Sequence, residues 1–155
     1  MNTEKSIDVL NSLIEINNDR INGYETASKE AEEGDLKALF SQFKQTSLRC
    51  KSELVAEVTR LGGKPTEETT TSGKFYRVWM DIKAAVLGHD RRAILSSCEF
   101  GEDAALETYH QALTDSIEDL TTEQQTMVKE QHSLIKADHD SVKRLRDQML
   151  ESSKK

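Results

Sequence analysis

Apolar residues recur every three or four positions along most of the chain, which is the period of an amphipathic helix. From Ser6 to Ala31 the stripe is Ile7, Leu10, Ile14, Ile21 and Tyr24. A second begins almost at once with Leu36, Leu39, Phe40, Phe43, Cys50, Leu54, Val58 and Leu61. Between them Gly34 is a helix stop and Asp35 an N-cap, and so short a link makes the two helices antiparallel. Gly62 and Gly63 close the second helix. A polar run follows, with Pro65 and Thr69, Thr70, Thr71 and Ser72, and reads as a solvated surface connector. Phe75, Val78, Trp79, Ile82, Ala85 and Val86 then form a shorter stripe between Gly73 and Gly88. At roughly 21 Å it is too short to match the others, and is expected to pack on them with Trp79 as its anchor.

Asp90 caps the next long stripe: Ile94, Leu95, Cys98, Ala105, Leu106, Tyr109, Leu113 and Ile117. Thr121 and Thr122 with Glu123 and Gln124 resemble a capping box before the last helix, which carries Met127, Val128, Leu134, Ile135, Val142, Leu145 and Met149. The pattern predicts an all-α fold of two antiparallel hairpins. Its long helices lie at about residues 4–32, 35–62, 90–120 and 122–151, and a crossover over 63–89 carries a short helix at about 73–87.

A length of 155 residues suits one domain, 1–155. One Pro and 7 Gly are too few for the turns of an all-β sandwich. The net charge of −7, from 21 basic and 28 acidic residues, argues against nucleic acid and anionic membrane as partners. Charges interrupt the N-terminal stretch every few residues, so no signal-peptide core is expected there, and no run suits a membrane span. Cys50 and Cys98 lack CxxC spacing and read as buried thiols, which fits a cytoplasmic location.

Helical proteins place chemistry inside by turning Glu and His inward. Glu102 follows Cys98 by four and precedes Tyr109 by seven; Glu25 follows Ile21 by four; Glu53 follows Cys50 by three. His132 and His139 are seven apart, with Val128, Ile135 and Val142 interleaved. His110 is less clearly inward, and His89 lies in a loop. If the crossover returns the chain to the opposite end, Glu25, Glu102 and His139 come near one height. Glu15 and Glu53 then form a second level, with Tyr109 or His110 and His132 nearby. If the crossover is short, the group is Glu15, Glu53, Glu102 and His139. Carboxylates with imidazole suit iron, manganese or zinc, and an ion would neutralise charge that is costly to bury. The competing reading is a salt bridge at the core edge, for which Arg49 and Lys136 stand close by.

Five stretches carry a resemblance over nearly the whole chain: LIEINNDRINGYE, ELVAEVTRLGG, FYRVWMDIK, ILSSCEFGEDAALETYHQAL and ADHDSVKRLRD. Together they resemble a bacterial family of small ferritin-like four-helix-bundle proteins, largely of unknown function and in part linked with stress. The resemblance implies an antiparallel ferritin-like four-helix bundle with a long crossover. The wider superfamily binds two metals through Glu on the first and third helices and Glu-x-x-His on the second and fourth. Glu15 or Glu25 matches the first, and Glu102, with Glu99 a turn earlier, matches the third. Lys136 stands where the Glu paired with His139 belongs, and Ala56 follows Glu53 where a His belongs. The pattern is incomplete, so a full di-metal centre is not expected.

Three function classes remain. One is a metal-binding bundle using Glu25, Glu53, Glu102 and His139, with Glu15 and His132 as a second level. Another is a non-enzymatic bundle that associates with itself or a partner through Phe75, Val78 and Trp79, apolar residues on a short helix expected to be exposed. The third is a hydrolase or transferase with Cys98 as nucleophile, which is disfavoured because no activating His adjoins it.

Overall fold

The computed structural model describes residues 3–69 and 73–153, with side chains for 3–69 and 77–149. Thr70, Thr71 and Ser72, and the Phe75 side chain, lie outside the described residues. The described chain is all-α. Its elements are α1 (Thr3–Glu30), α2 (Gly34–Arg60), α3 (Gly73–Leu87), α4 (Arg91–Thr114) and α5 (Thr122–Ser153), with a 3-10 turn at Ile117–Asp119.

Local chemistry explains the ends. Gly62 adopts φ +84°, and the N–H groups of Gly62 and Gly63 bond the carbonyls of Thr59 and Val58 at 3.0 Å each. This pair of bonds at the end of α2 needs a left-handed residue, which glycine supplies without strain. Asp90 caps α4 by accepting from the Ala93 N–H. At the start of α5, the Thr121 N–H bonds Gln124 Oε1 at 2.9 Å and the Gln124 N–H bonds Thr121 Oγ1 at 3.1 Å. That is a reciprocal capping box. The periodicity predicts the third long helix to 120, but α4 stops at Thr114. The N–H groups of Asp115 and Ser116 both close on the Gln111 carbonyl, and the 3-10 turn carries the chain on to Leu120, which is buried. The Ser6 hydroxyl donates to the Asp119 carbonyl and pins that turn to α1.

The four long helices form a ring. α1 packs on α2 and α4 on α5, and α2–α5 and α1–α4 close the seams. Two polar layers give the directions. Arg20, Ser47, Glu102 and Asp138 share one level, and Asn17, Cys50, Tyr109 and Gln131 the next. From the first level to the second, numbers fall along α1 and α5 and rise along α2 and α4. So α2 and α4 run the same way. The connection between them climbs α1. Asn11 donates to the Lys64 carbonyl and accepts from the Thr66 N–H, and Asn18 donates to the Glu68 carbonyl. Arg91 then ties the start of α4 to Glu33 and Asp35 at the α1–α2 link.

The core has two parts. Beyond the Arg20 level toward the α1–α2 link, five helices contribute: Tyr24, Ala27, Phe40, Phe43, Val78, Ile82, Leu95 and Val142 meet there. On the other side Leu10, Leu13, Leu54, Val58, Tyr109, Val128 and Ile135 pack between the four long helices. α3 enters the α1–α4 seam because two glycines leave space. The Trp79 ring lies against Gly23, and Val78 and Ile82 lie against Gly101. Trp79 meets Tyr24 edge-on at 5.1 Å. The anchoring expected of Trp79 is therefore present. The exposed apolar face expected at Val78 and Trp79 is not: Val78 and Ile82 are buried, and α3 is part of the core.

Candidate functional site

The chemistry at the centre is built on Arg20, which is fully buried on α1. Its Nε donates to Glu102 Oε2 at 3.0 Å and its Nη2 to Glu102 Oε1 at 2.5 Å. Nη2 also donates to Asp138 Oδ2 at 3.0 Å, and Nη1 to the Ser47 hydroxyl at 2.7 Å. One guanidinium therefore joins four helices. The fork across Glu102 is bidentate, which is geometry an ammonium cannot reproduce. The guanidinium carbon also sits 5.5 Å from the centre of the Tyr24 ring, which places a cation over an aromatic face.

The charge count at this level is one cation to two carboxylates. Burial works against the Arg20 cation, but Glu102, Tyr24 and Asp138 outweigh it and hold the guanidinium charged, above its usual range. Burial pushes Glu102 and Asp138 up, and Arg20 pulls each back in part. The Arg20 shift favours the charged pair, while the carboxylate shifts favour the neutral acids. The cation is secure, and the two carboxylates as a unit bind a proton more tightly than exposed ones, because burial penalises their charge and one guanidinium offsets that only in part.

The neighbouring level is polar but uncharged at its centre. Asn17 Nδ2 donates to Tyr109 Oη at 2.8 Å, the Tyr109 hydroxyl donates to Gln131 Oε1 at 2.8 Å, and Gln131 Nε2 reaches the Cys50 carbonyl and Glu53 Oε1. Burial raises the Cys50 thiol to about 11 and also raises Cys98, and both are free and buried. Neither has the low-pKa, accessible setting of a nucleophile.

The sequence candidates fall in different places. Glu102 is the buried carboxylate of the Arg20 layer. Glu25 is 43% exposed and pairs with Lys29 and Lys44. Glu53 is half-buried and accepts from Gln131. Glu15 is half-buried on α1, and His132, whose pKa burial lowers, lies near His110 and Lys136. His139 is 15% exposed and faces outward from the layer: Nε2 contacts Asp103 Oδ1 at 2.7 Å and Nδ1 contacts Asp140 Oδ1 at 3.1 Å. Neither expected grouping, Glu25–Glu102–His139 or Glu15–Glu53–Glu102–His139, converges on a point. Among the described residues, the ligand-type atoms that do converge are those of Glu99, Asp103 and His139, within 4.8 Å of one another. Arg146 already bonds Glu99 there.

The residues that complete the layer, Arg20, Ser47 and Asp138, lie outside the Glu and His set on which the sequence analysis rests. Their signal is their spacing. Leu10, Leu13, Asn17, Arg20, Tyr24 and Ala27 alternate steps of three and four, as do Val128, Gln131, Ile135, Asp138 and Val142. Arg20 and Asp138 sit on the apolar seam. Glu25, His132 and His139 each sit one residue past it, about 100° round the helix.

The fold and its centre define an all-helical protein with a guanidinium–carboxylate layer across four helices. The chain belongs to the family described as a domain of unknown function, DUF2383, whose profile matches residues 5–115. Arg20, Ser47 and Glu102 lie within that span, and Asp138 lies beyond it. No curated protein matches the chain.

Proposed function

We propose that this chain is a ferritin-like four-helix bundle that works without a metal at its centre, as a non-enzymatic bundle acting by association with itself or a protein partner. The observation that supports this is the Arg20 guanidinium. It takes both oxygens of Glu102 and one of Asp138, the central carboxylates that a metal would use. The donor set does not fit a resident ion: the level already holds a cation, and the outward Glu25 and His139 do not add ligands to it.

Association then falls to the surface. Met80 and Leu87 on α3 and Phe100 on α4 are large apolar side chains about half exposed. They flank the seam that α3 fills. An acidic chain with such a flank suits a protein surface rather than a polyanion, and none of the described helices is long and apolar enough to cross a membrane. The cytoplasm, where buried thiols stay reduced, fits Cys50 and Cys98.

A metal-handling role in iron, manganese or zinc traffic is the competing reading. Its support is the outward group Glu99, Asp103 and His139. Light scattering and elemental analysis of the untagged protein separate the two. The association reading expects an oligomer or a captured partner and no stoichiometric metal. A monodisperse monomer that retains one or two ions per chain would overturn it.

A further inference from the structure

We propose that Arg20 is a resident organic cation, and that the level it occupies is a guanidinium-binding site closed by the chain's own side chain. The inference deepens the metal-free reading above: it names what takes the place of an ion and which chemistry the site selects. Three features carry it. The site is built from all four long helices, and Arg20, Glu102 and Ser47 are fully buried. Its acceptors are arranged as a fork. Glu102 receives Nε and Nη2 side by side, Ser47 receives Nη1 on the opposite edge, and Asp138 receives Nη2 from the α5 side. The Tyr24 ring lies near one face of the plane at 5.5 Å. A spherical ion asks for oxygens distributed around a point, whereas these acceptors each take a separate N–H of one planar head, with an aromatic ring near its face.

The planar head is separable from its tether. Arg20→Ala removes the head and leaves Glu102, Asp138, Ser47 and the Tyr24 face in place. Methylguanidinium carries the same N–H donors as the lost head and one carbon of its stem. It should therefore fill the space and restore the fold, and ammonium or divalent cations should not. At about ten times its dissociation constant it should raise the melting midpoint of Arg20→Ala by about 4 °C, against an equal concentration of sodium chloride. The wild type should show no such rise. Nor should the triple variant Arg20→Ala, Glu102→Gln, Asp138→Asn.

If Arg20→Ala does not fold unaided, the readout becomes refolding yield with and without methylguanidinium. The wild-type protein gives an independent check by nitrogen-15 spectroscopy of arginine side chains. The Nε–H and both Nη groups of Arg20 should be resolved and slow to exchange with water. Equal response of Arg20→Ala to magnesium, manganese or ammonium would overturn the proposal. So would the absence of any response to methylguanidinium. Retention of metal by the wild type at Glu99, Asp103 and His139 would contradict the metal-free function and leave this result standing, so the two readings fail separately.

Discussion

At the scale of single residues, the Arg20 layer concentrates more consequence than any other position. A buried ion cluster is weak evidence of net stabilisation, since its members lose hydration. Removing one member is costly all the same, because it strands the others. Glu102→Ala leaves the guanidinium with Asp138 and Ser47 and should lower unfolding free energy by about 3–5 kcal/mol in urea titration. A loss below about 1 kcal/mol, the scale of an exposed pair, would contradict the burial.

The layer also has a pH signature. A carboxylate held above its usual range binds its proton more tightly folded than unfolded. Its stabilising contribution is full at low pH and is lost as pH rises through the folded value. Asp138 is raised by burial, so Asp138→Asn should gain on the wild type as pH rises from the ordinary carboxylate range. Denaturation at a series of pH values would show this. A variant that loses ground with rising pH would contradict the assignment. Asp35 and Glu57 oppose this trend. Arg91 holds Asp35 below its usual range and Arg60 does the same for Glu57, so their contributions are lost as pH falls.

At the scale of elements, the helices were legible because each is amphipathic and its ends carry their own chemistry: the Gly62 turn, the Asp90 cap, and the Thr121–Gln124 box. The end of α4 was not legible. Ile117 keeps the helical spacing across a 3-10 turn, and periodicity does not register a change from one helical pitch to another. The depth of α3 was hidden for a different reason. An apolar stripe on a short helix shows that one face is buried but not how far the helix sinks, and the answer lies with glycines on other helices. At Gly23 an added methyl would overlap the Trp79 ring. Gly23→Ala should therefore cost about 1–3 kcal/mol and shift Trp79 fluorescence to the red as α3 is pushed outward. Gly34, with open space around it, is the control, and Gly34→Ala should leave the Trp79 emission unchanged. Unshifted emission in Gly23→Ala would mean that α3 does not occupy the seam.

At the scale of the molecule, the directions of the helices follow from the strap over Asn11 and Asn18, which carries the chain back along α1 before α4 begins. The sequence left two topologies open because the connector's length permits either. The contacts that decide between them are polar side chains on α1 meeting backbone carbonyls, and no hydrophobic pattern encodes these. The same limit applied to the centre. Carboxylates turned inward announce a buried charge, but whether an ion or a guanidinium neutralises it depends on which residue of α1 reaches the same level.

The most direct test of a centre closed by Arg20 is elemental analysis of untagged protein, purified without chelator, challenged with iron, manganese and zinc, and desalted. The account predicts no stoichiometric ion, and the same melting midpoint before and after chelation. One or two ions per chain that survive desalting and are lost in Glu102→Gln would contradict it, because the carboxylate assigned to Arg20 would then be serving a metal.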